Sequence, residues 1–419
     1  MKTAVCIFED EGFQNFLPLV YMRPVYDLRC GILTLREKIA ARFSNHNLIL
    51  HTRSYLKEFV QEQNPKILVN QFDVPNIFFV NGRLMVEKDS VNQIKKLKEN
   101  SILFADDGSV IAANLSSDNI ERFIKSEDEF LSFHSIKNIQ RVENKLELIK
   151  YPWQLVNANG AEIVDDFDLI AKKVQKIEAR KFPSVEFKNK KEIFISKDTV
   201  IDPFAFLDAS EGPVYIGERV HIMPQTYIQG PVYIGDDSII KSGASIYRNT
   251  SIGEVCRVGG EVESSIIHSY SNKQHEGFLG HSYLGSWINI GASTNNSDLK
   301  NNYENISVLL NGKPVDTGSK FVGLIMGDHS KTAINTMFNT GTIVGVACNI
   351  FGSGFPPRYI PSFSWGGSDF LKTNDVNKSL ETAKIVLHRR DKNLTLNGEN
   401  LLRKVFDLTA EERLRKMKS

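Results

Sequence analysis

A chain of 419 residues, 24% charged and 41% hydrophobic, with 51 Lys+Arg against 50 Asp+Glu, has the composition of a globular protein long enough for two or three domains. These values exclude a disordered, collagen-like or coiled-coil chain, and a net charge of +1 offers no overall positive field for nucleic acid, so small molecules are the expected partners. Cysteines at 6, 30, 256 and 348 form no CxxC pair, Glu9 and Asp10 stand where a signal peptide needs its apolar core, and no run approaches about 18 apolar residues, which predicts a cytoplasmic protein with no membrane span.

In chain order, short apolar runs at 4–8, 47–50 and 76–80 alternate with helical periodicity over 33–43, 54–63 and 118–125. That alternation predicts an α/β domain with a mostly parallel sheet over residues 1–150. Pro152 then opens a helix whose apolar face continues through Ile163, Phe167, Ile170 and Val174, a connecting segment over 151–190 with the helix ending near Phe182-Pro183. Glycine marks the next boundary, with 22 of 28 glycines between 201 and 370 and five in the first 200 residues.

The second half is a repeat. Aliphatic residues recur every six positions at Ile195, Ile201 and Leu207, then after three extra residues at Ile216, Ile222, Ile228, Ile234, Ile240, Ile246, Ile252 and Val258. Small or β-branched residues such as Val220, Thr226, Val232 and Ala244 stand four positions later, and a second phase resumes at Met326, Thr332, Phe338, Val344 and Ile350. Each hexad reads as one side and one corner of a triangular coil, with aliphatic side chains stacking inward on equivalents three hexads away and neighbouring turns burying what no turn buries alone. The pattern resembles the hexapeptide acyltransferases, which implies a left-handed parallel β-helix over 191–369, against the usual crossover hand. Residues 370–419 form a C-terminal helical segment. The helix at 377–390 is expected to pack across the last coils or a neighbouring subunit, and Leu401, Val405 and Leu408 mark a partly solvated cap.

Between the two phases the hexads break over 264–295, where function is expected to sit. The break carries Asn272-Lys273-Gln274-His275-Glu276-Gly277-Phe278-Leu279-Gly280 and Asn289-Ile290-Gly291-Ala292. This stretch resembles the acetyltransferase half of the bifunctional GlmU enzymes, which implies His275 as the general base and Lys273, Phe278, Asn289 and Ala292 around an amino sugar phosphate and the co-substrate acetyl-CoA. A neutral imidazole suits removal of a proton from an attacking amine, and Glu276 or a backbone carbonyl would orient it. The family's sugar-phosphate lysine falls at Ser265 and its tyrosine at Phe278; Lys273 and Arg257 are the cations placed to replace the lost charge. His281 reads as a coil residue, and His329 as one that would meet substrate only across a subunit boundary.

The first domain stands where that family has its uridyltransferase half. Leu17-Pro18-Leu19, Arg23-Pro24-Val25, Asp27-Leu28-Arg29, Gly31-Ile32-Leu33-Thr34 and Glu37-Lys38, with the late Phe351-Gly352-Ser353-Gly354-Phe355-Pro356 and Ile360-Pro361-Ser362-Phe363-Ser364-Trp365-Gly366-Gly367, resemble a divergent bacterial branch of GlmU-like proteins. The resemblance implies a Rossmann-like nucleotidyltransferase domain that takes a nucleoside triphosphate and a sugar 1-phosphate, with Arg23, Arg29 and Lys38 as phosphate-binding cations. It also implies Mg²⁺, although Asn81 replaces the expected carboxylate and Val25 the expected lysine. Asp106-Asp107-Gly108 reads as a hairpin turn. Three functions follow: a bifunctional transferase, an acyltransferase whose first domain only binds a sugar nucleotide, and a non-catalytic scaffold. The acyltransferase family further implies a homotrimer, for which the stacked Tyr215 and Tyr233 offer an aromatic face and Asn335 and Asn339 a second wall.

Overall fold

The apolar runs of the first half become strands because residues apolar on both sides need cover on both faces, and β1 (Ala4–Phe8) is buried along its whole length. The computed structural model describes residues 4–417 apart from 73, 125–128, 134–135, 137 and 171–180. In it α1 (Leu35–Arg42), β2 (Asn47–His51), α2 (Lys57–Gln63), β3 (Leu68–Val69), β4 (Asn76–Asn81), α3 (Lys88–Lys95), β5 (Ser101–Phe104), β6 (Val110–Ser116), α4 (Ser117–Ile124) and β7 (Gln140–Glu143) build one domain. Its seven-stranded sheet has the order β3-β2-β1-β4-β6-β5-β7. The strands β3, β2, β1 and β4 run parallel, and β6 runs against both β4 and β5. Strand order reverses about β1, so the crevice beyond the carboxyl ends of β1 and β4 is the switch point where ligands bind in such sheets.

From Glu186 the chain winds into a parallel β-helix with three faces. The first face runs from 186–188 to 278–280, the second through nine strands from 193–195 to 359–360, and the third from 200–201 to 272–273 and onward through 331–332 and 349–350. Ile201, Ile222, Ile240 and Val258 stand one above another, as the hexads require, inside a continuous apolar core.

Three expectations are corrected. The coils do not break at 264–295: strands at 266–267, 272–273, 278–280 and 283–284 continue the stacks in parallel register. Steps of five residues, Val262 to Ile267 and Leu279 to Leu284, erased the period without interrupting the solenoid. The real interruption is 297–323, which carries an antiparallel hairpin of Ser307–Leu310 with Lys313–Asp316. Second, the Tyr215 and Tyr233 face is closed within the chain. Helix α5 (Pro152–Ile170) lies on it, packing Ile163 and Phe167 against Phe194 and Tyr233, which is 6% exposed. Third, the C-terminal helices α6 (Val376–His388), α7 (Leu396–Leu408) and α8 (Ala410–Met417) are more than a partly solvated cap, although Leu408 is 46% exposed. Leu380, Leu401, Leu402 and Val405 share a core with Val5, Ile7, Leu56 and Val60 of the first domain. Among the described residues no helix is long and apolar enough to cross a membrane.

Candidate functional site

At the corner between the third and first faces, Lys273 occupies the inward position held by Val258 one coil earlier. An ammonium cannot stay in an aliphatic column without acceptors, so Nζ reaches the corner and donates to the carbonyls of Gly259 (2.9 Å) and His275 (2.8 Å). Burial pushes its pKa down to about 8. Lys273 is therefore a positioning residue that pins the main chain of His275; the expectation that it contacts substrate is corrected. Glu276 is tied to the next coil by Ser293, whose hydroxyl donates to Oε1 at 2.5 Å and whose amide donates to the Glu276 carbonyl at 3.2 Å. His275 projects from this pinned corner with its side chain exposed.

Asn289 and Ala292 lie on the following coil. Asn289 is exposed and bridges in register between Asn272 and Lys331, and the Ala292 carbonyl accepts from the Asn335 amide at 2.7 Å. Phe278, half-buried, donates its amide to Asn295 Oδ1 at 2.7 Å. His275, Phe278, Asn289 and Ala292 thus share two successive coils. Ser265 turns inward to the Glu263 carbonyl, 2.7 Å away. His281 is engaged elsewhere, bonded to Asp298 at 2.8 Å and stacked on Phe321. His329 is buried in a corner stack with Trp287 and Tyr270, and burial lowers its pKa to about 3.

The second candidate is the switch-point crevice of the first domain, about 710 Å³ in volume. Asp10, just beyond β1, caps the following turn through the Gly12 amide (3.1 Å) and takes a fork from Arg83 at 2.8 and 2.5 Å. Asn81 donates to the same carboxylate at 2.7 Å and to the Val110 carbonyl. Across the mouth, Lys150 pairs with Asp107 at 2.7 Å and, by that bond, holds the carboxyl at about 2. Asp107-Gly108 is the hairpin turn between β5 and β6, with Gly108 at φ +81°. Both Asp10 oxygens are taken by cationic and amide donors, and among the described residues no three carboxylates, histidines or cysteines converge. These residues do not fit a ligand set for Mg²⁺. Arg83 was legible as a candidate, since it follows Asn81-Gly82 at the end of β4.

The three phosphate-binding expectations are corrected. Lys38 is 3% exposed and pairs with Asp166 at 2.6 Å and Glu162 at 2.8 Å of α5. Arg29 donates to Glu254 of the solenoid at 2.6 Å and to the Ile32 carbonyl, with its guanidinium over the Tyr233 ring. Arg23 binds Asp328 at 2.7 Å and Ser286 at 3.0 Å. Asp166 also takes the amides of Ile32 and Leu33, and Asn159 takes that of Gly31, whose φ of +86° and contact with Glu162 admit no Cβ. The loop from Leu17 to Lys38 is thus a seam between domains.

Comparison with known proteins gives two matches to family models: "Sugar nucleotidyl transferase" over residues 5–175 and "Bacterial transferase hexapeptide (six repeats)" over 213–248. Among curated proteins, the chain is similar to a bifunctional sugar-1-phosphate nucleotidylyltransferase/acetyltransferase of Sulfurisphaera tokodaii, at 32% identity over 164 residues, 39% of this chain and 40% of that protein. It is also similar to the bifunctional protein GlmU of Methanococcus aeolicus, 28% identical over 40% of this chain and 37% of that one, and of Synechococcus elongatus, 24% identical over 50% of each. The matched region spans no more than half the length of any of these relatives. With seam, crevice and solenoid corner placed, the chain joins a region that matches sugar nucleotidyl transferases, residues 5–175, to a solenoid that matches the bacterial transferase hexapeptide over 213–248, and it is similar to bifunctional GlmU proteins.

Proposed function

We propose that the chain is a bifunctional enzyme of sugar-nucleotide synthesis, transferring acetyl from acetyl-CoA to the amine of an amino sugar phosphate at the solenoid corner and a nucleotidyl group to a sugar 1-phosphate in the switch-point crevice. The observation that carries it is His275, an exposed imidazole on a main chain pinned by Lys273. The amine nitrogen attacks the thioester carbonyl, its proton passes to the imidazole, and the coenzyme thiolate leaves and takes that proton. Four free, buried cysteines support a reducing, cytoplasmic compartment.

The exposed corner supplies one wall of a cleft, and a homotrimer would supply the other. The face left for copies is the first, where Phe206, Tyr227 and Tyr247 form a half-exposed ladder with rings 5.5 and 5.9 Å apart. Sedimentation equilibrium should give three times 47.3 kDa; a concentration-independent monomer would end the trimer. The catalytic test is thiol release from acetyl-CoA with amino sugar phosphates, run beside nucleotidyl transfer with UTP, dTTP and GTP. No thiol release with any such acceptor would overturn the acyl-transfer reading. The closed Asp10 and Arg83 pair favours a second reading for the first domain alone, binding of a sugar nucleotide without turnover; nucleotide binding without product would select it.

A further inference from the structure

On the solenoid's third face, beginning at Gln274 beside His275, the end of α6 covers a groove of about 300 Å³ whose charge is one-sided. Arg257, Lys331, Arg389 and Arg390 line it, and no carboxylate does. The cations come from three places: Arg257 and Lys331 from coils above and below the Asn272 and Asn289 bridges, and the two arginines from the residues directly after α6. Such convergence is a product of the tertiary fold and not of a basic run.

The partners these groups have are neutral. Arg257 lies on the main-chain carbonyls of Asp237, Val255 and Cys256 at 3.2 to 3.4 Å, Lys331 donates to the His329 carbonyl at 2.8 Å, and Arg390 donates to Asn272 Oδ1 at 3.0 Å. The acid nearest Arg257, Asp237, is already held by both arms of Arg219 at 2.7 Å. Among the described residues none of the four cations forms an ion pair. Desolvation and the neighbouring Arg390 lower the pKa of Arg257, and desolvation lowers Lys331 to about 8. Like charges held together without a counter-ion repel, and a bound anion removes that repulsion. One phosphate spans a single guanidinium fork; four cations along a groove walled by Asn272, Gln274 and Asn289 match two linked phosphates.

We infer that this groove binds a diphosphate group, with Arg389 and Arg390 closing on it from α6. The diphosphate could belong to coenzyme A or to a sugar nucleotide, and both present the same oxyanions. The inference requires only binding, so it survives or fails independently of acyl transfer.

The test is calorimetric titration of the full chain with inorganic pyrophosphate, in parallel with fluorescence of Trp287, which lines the groove. Saturable binding is expected, with sulfate at equal ionic strength giving none. The Arg389→Ala/Arg390→Ala double variant should weaken it by about tenfold or more, the loss expected on removing charge-assisted contacts. Lys331→Met, a change on the solenoid itself, should weaken it independently, so the result does not depend on α6 staying docked. Displacement of pyrophosphate by coenzyme A or by a UDP-sugar then assigns the source of the diphosphate. Absence of pyrophosphate binding at millimolar concentration, or wild-type affinity in both variants, would overturn the inference.

Discussion

Inside the solenoid, Lys273 stands in an aliphatic stack and yet is 2% exposed, and its two carbonyl acceptors explain how the position tolerates it. The unfolded chain keeps the lysine proton up to about 10.5, whereas the folded chain releases it above about 8, so between those values the unfolded state binds more protons. Raising pH through that window therefore adds a stabilising contribution from Lys273, which opposes the loss from the four buried thiols, whose raised pKa values make the folded state hold more protons there. Lys331 and the thiols titrate in both proteins, so the urea midpoint of wild type relative to Lys273→Met should shift in favour of wild type as pH rises from about 8 to 10.5; a pH-independent difference would mean that Lys273 is not buried as described. His275 makes the complementary case. Its side chain is exposed, so His275→Ala should leave the thermal midpoint near the wild-type value while lowering acetyl transfer by about 10². Activity close to wild type would remove it as the base.

At the scale of elements, the chain from Leu17 to Lys38 and helix α5 act as one seam. Lys38→Met would leave Asp166 and Glu162 facing each other without a cation, and breaking a buried pair in this way costs about 3–5 kcal/mol. The urea midpoint should fall accordingly while nucleotide affinity of the folded protein stays unchanged; lost nucleotide affinity without lost stability would restore the phosphate-binding reading. That reading failed for a physical reason. Arginines and lysines beside proline and glycine look alike whether they face a phosphate or a carboxylate, and the carboxylates here lie 124 to 305 residues away. The solenoid was legible because Ile216 to Val258 repeat one contact in one register. Its continuation was not, because five-residue steps and an inward lysine satisfy the same coil without the hexad signature. The acyl-transfer corner was legible as spacing, and its rigidity only as geometry.

Across the whole molecule, the chain ends hold the domains together. The hairpin at 307–316 packs Val308 and Leu310 on Phe16, Leu19 and Val20, and the α8 carboxylate Glu412 takes the hydroxyls of Tyr21 (2.9 Å) and Tyr359 (2.7 Å) from opposite domains. Above that seam, α6 and α7 bury Leu380, Leu401, Leu402 and Val405 at 2% exposure or less against the first domain. Fully burying such side chains contributes about 1.5–3 kcal/mol each, a total comparable with the about 5–15 kcal/mol that holds a typical domain. The solenoid draws most of its core from its stacked coils, and only its last coils, through Val346, Ala347 and Phe363, join this surface. Ending the chain at residue 375 should therefore separate the two halves in stability. The first domain should lose its cooperative transition and become open to proteolysis within residues 4–143, while the β-helix keeps its far-ultraviolet signal to higher temperature. Limited proteolysis with mass spectrometry, beside thermal melts of the truncated and full chains, measures both. A truncated chain whose first domain resists protease as the full chain does would make the C-terminal helices a dispensable cap after all.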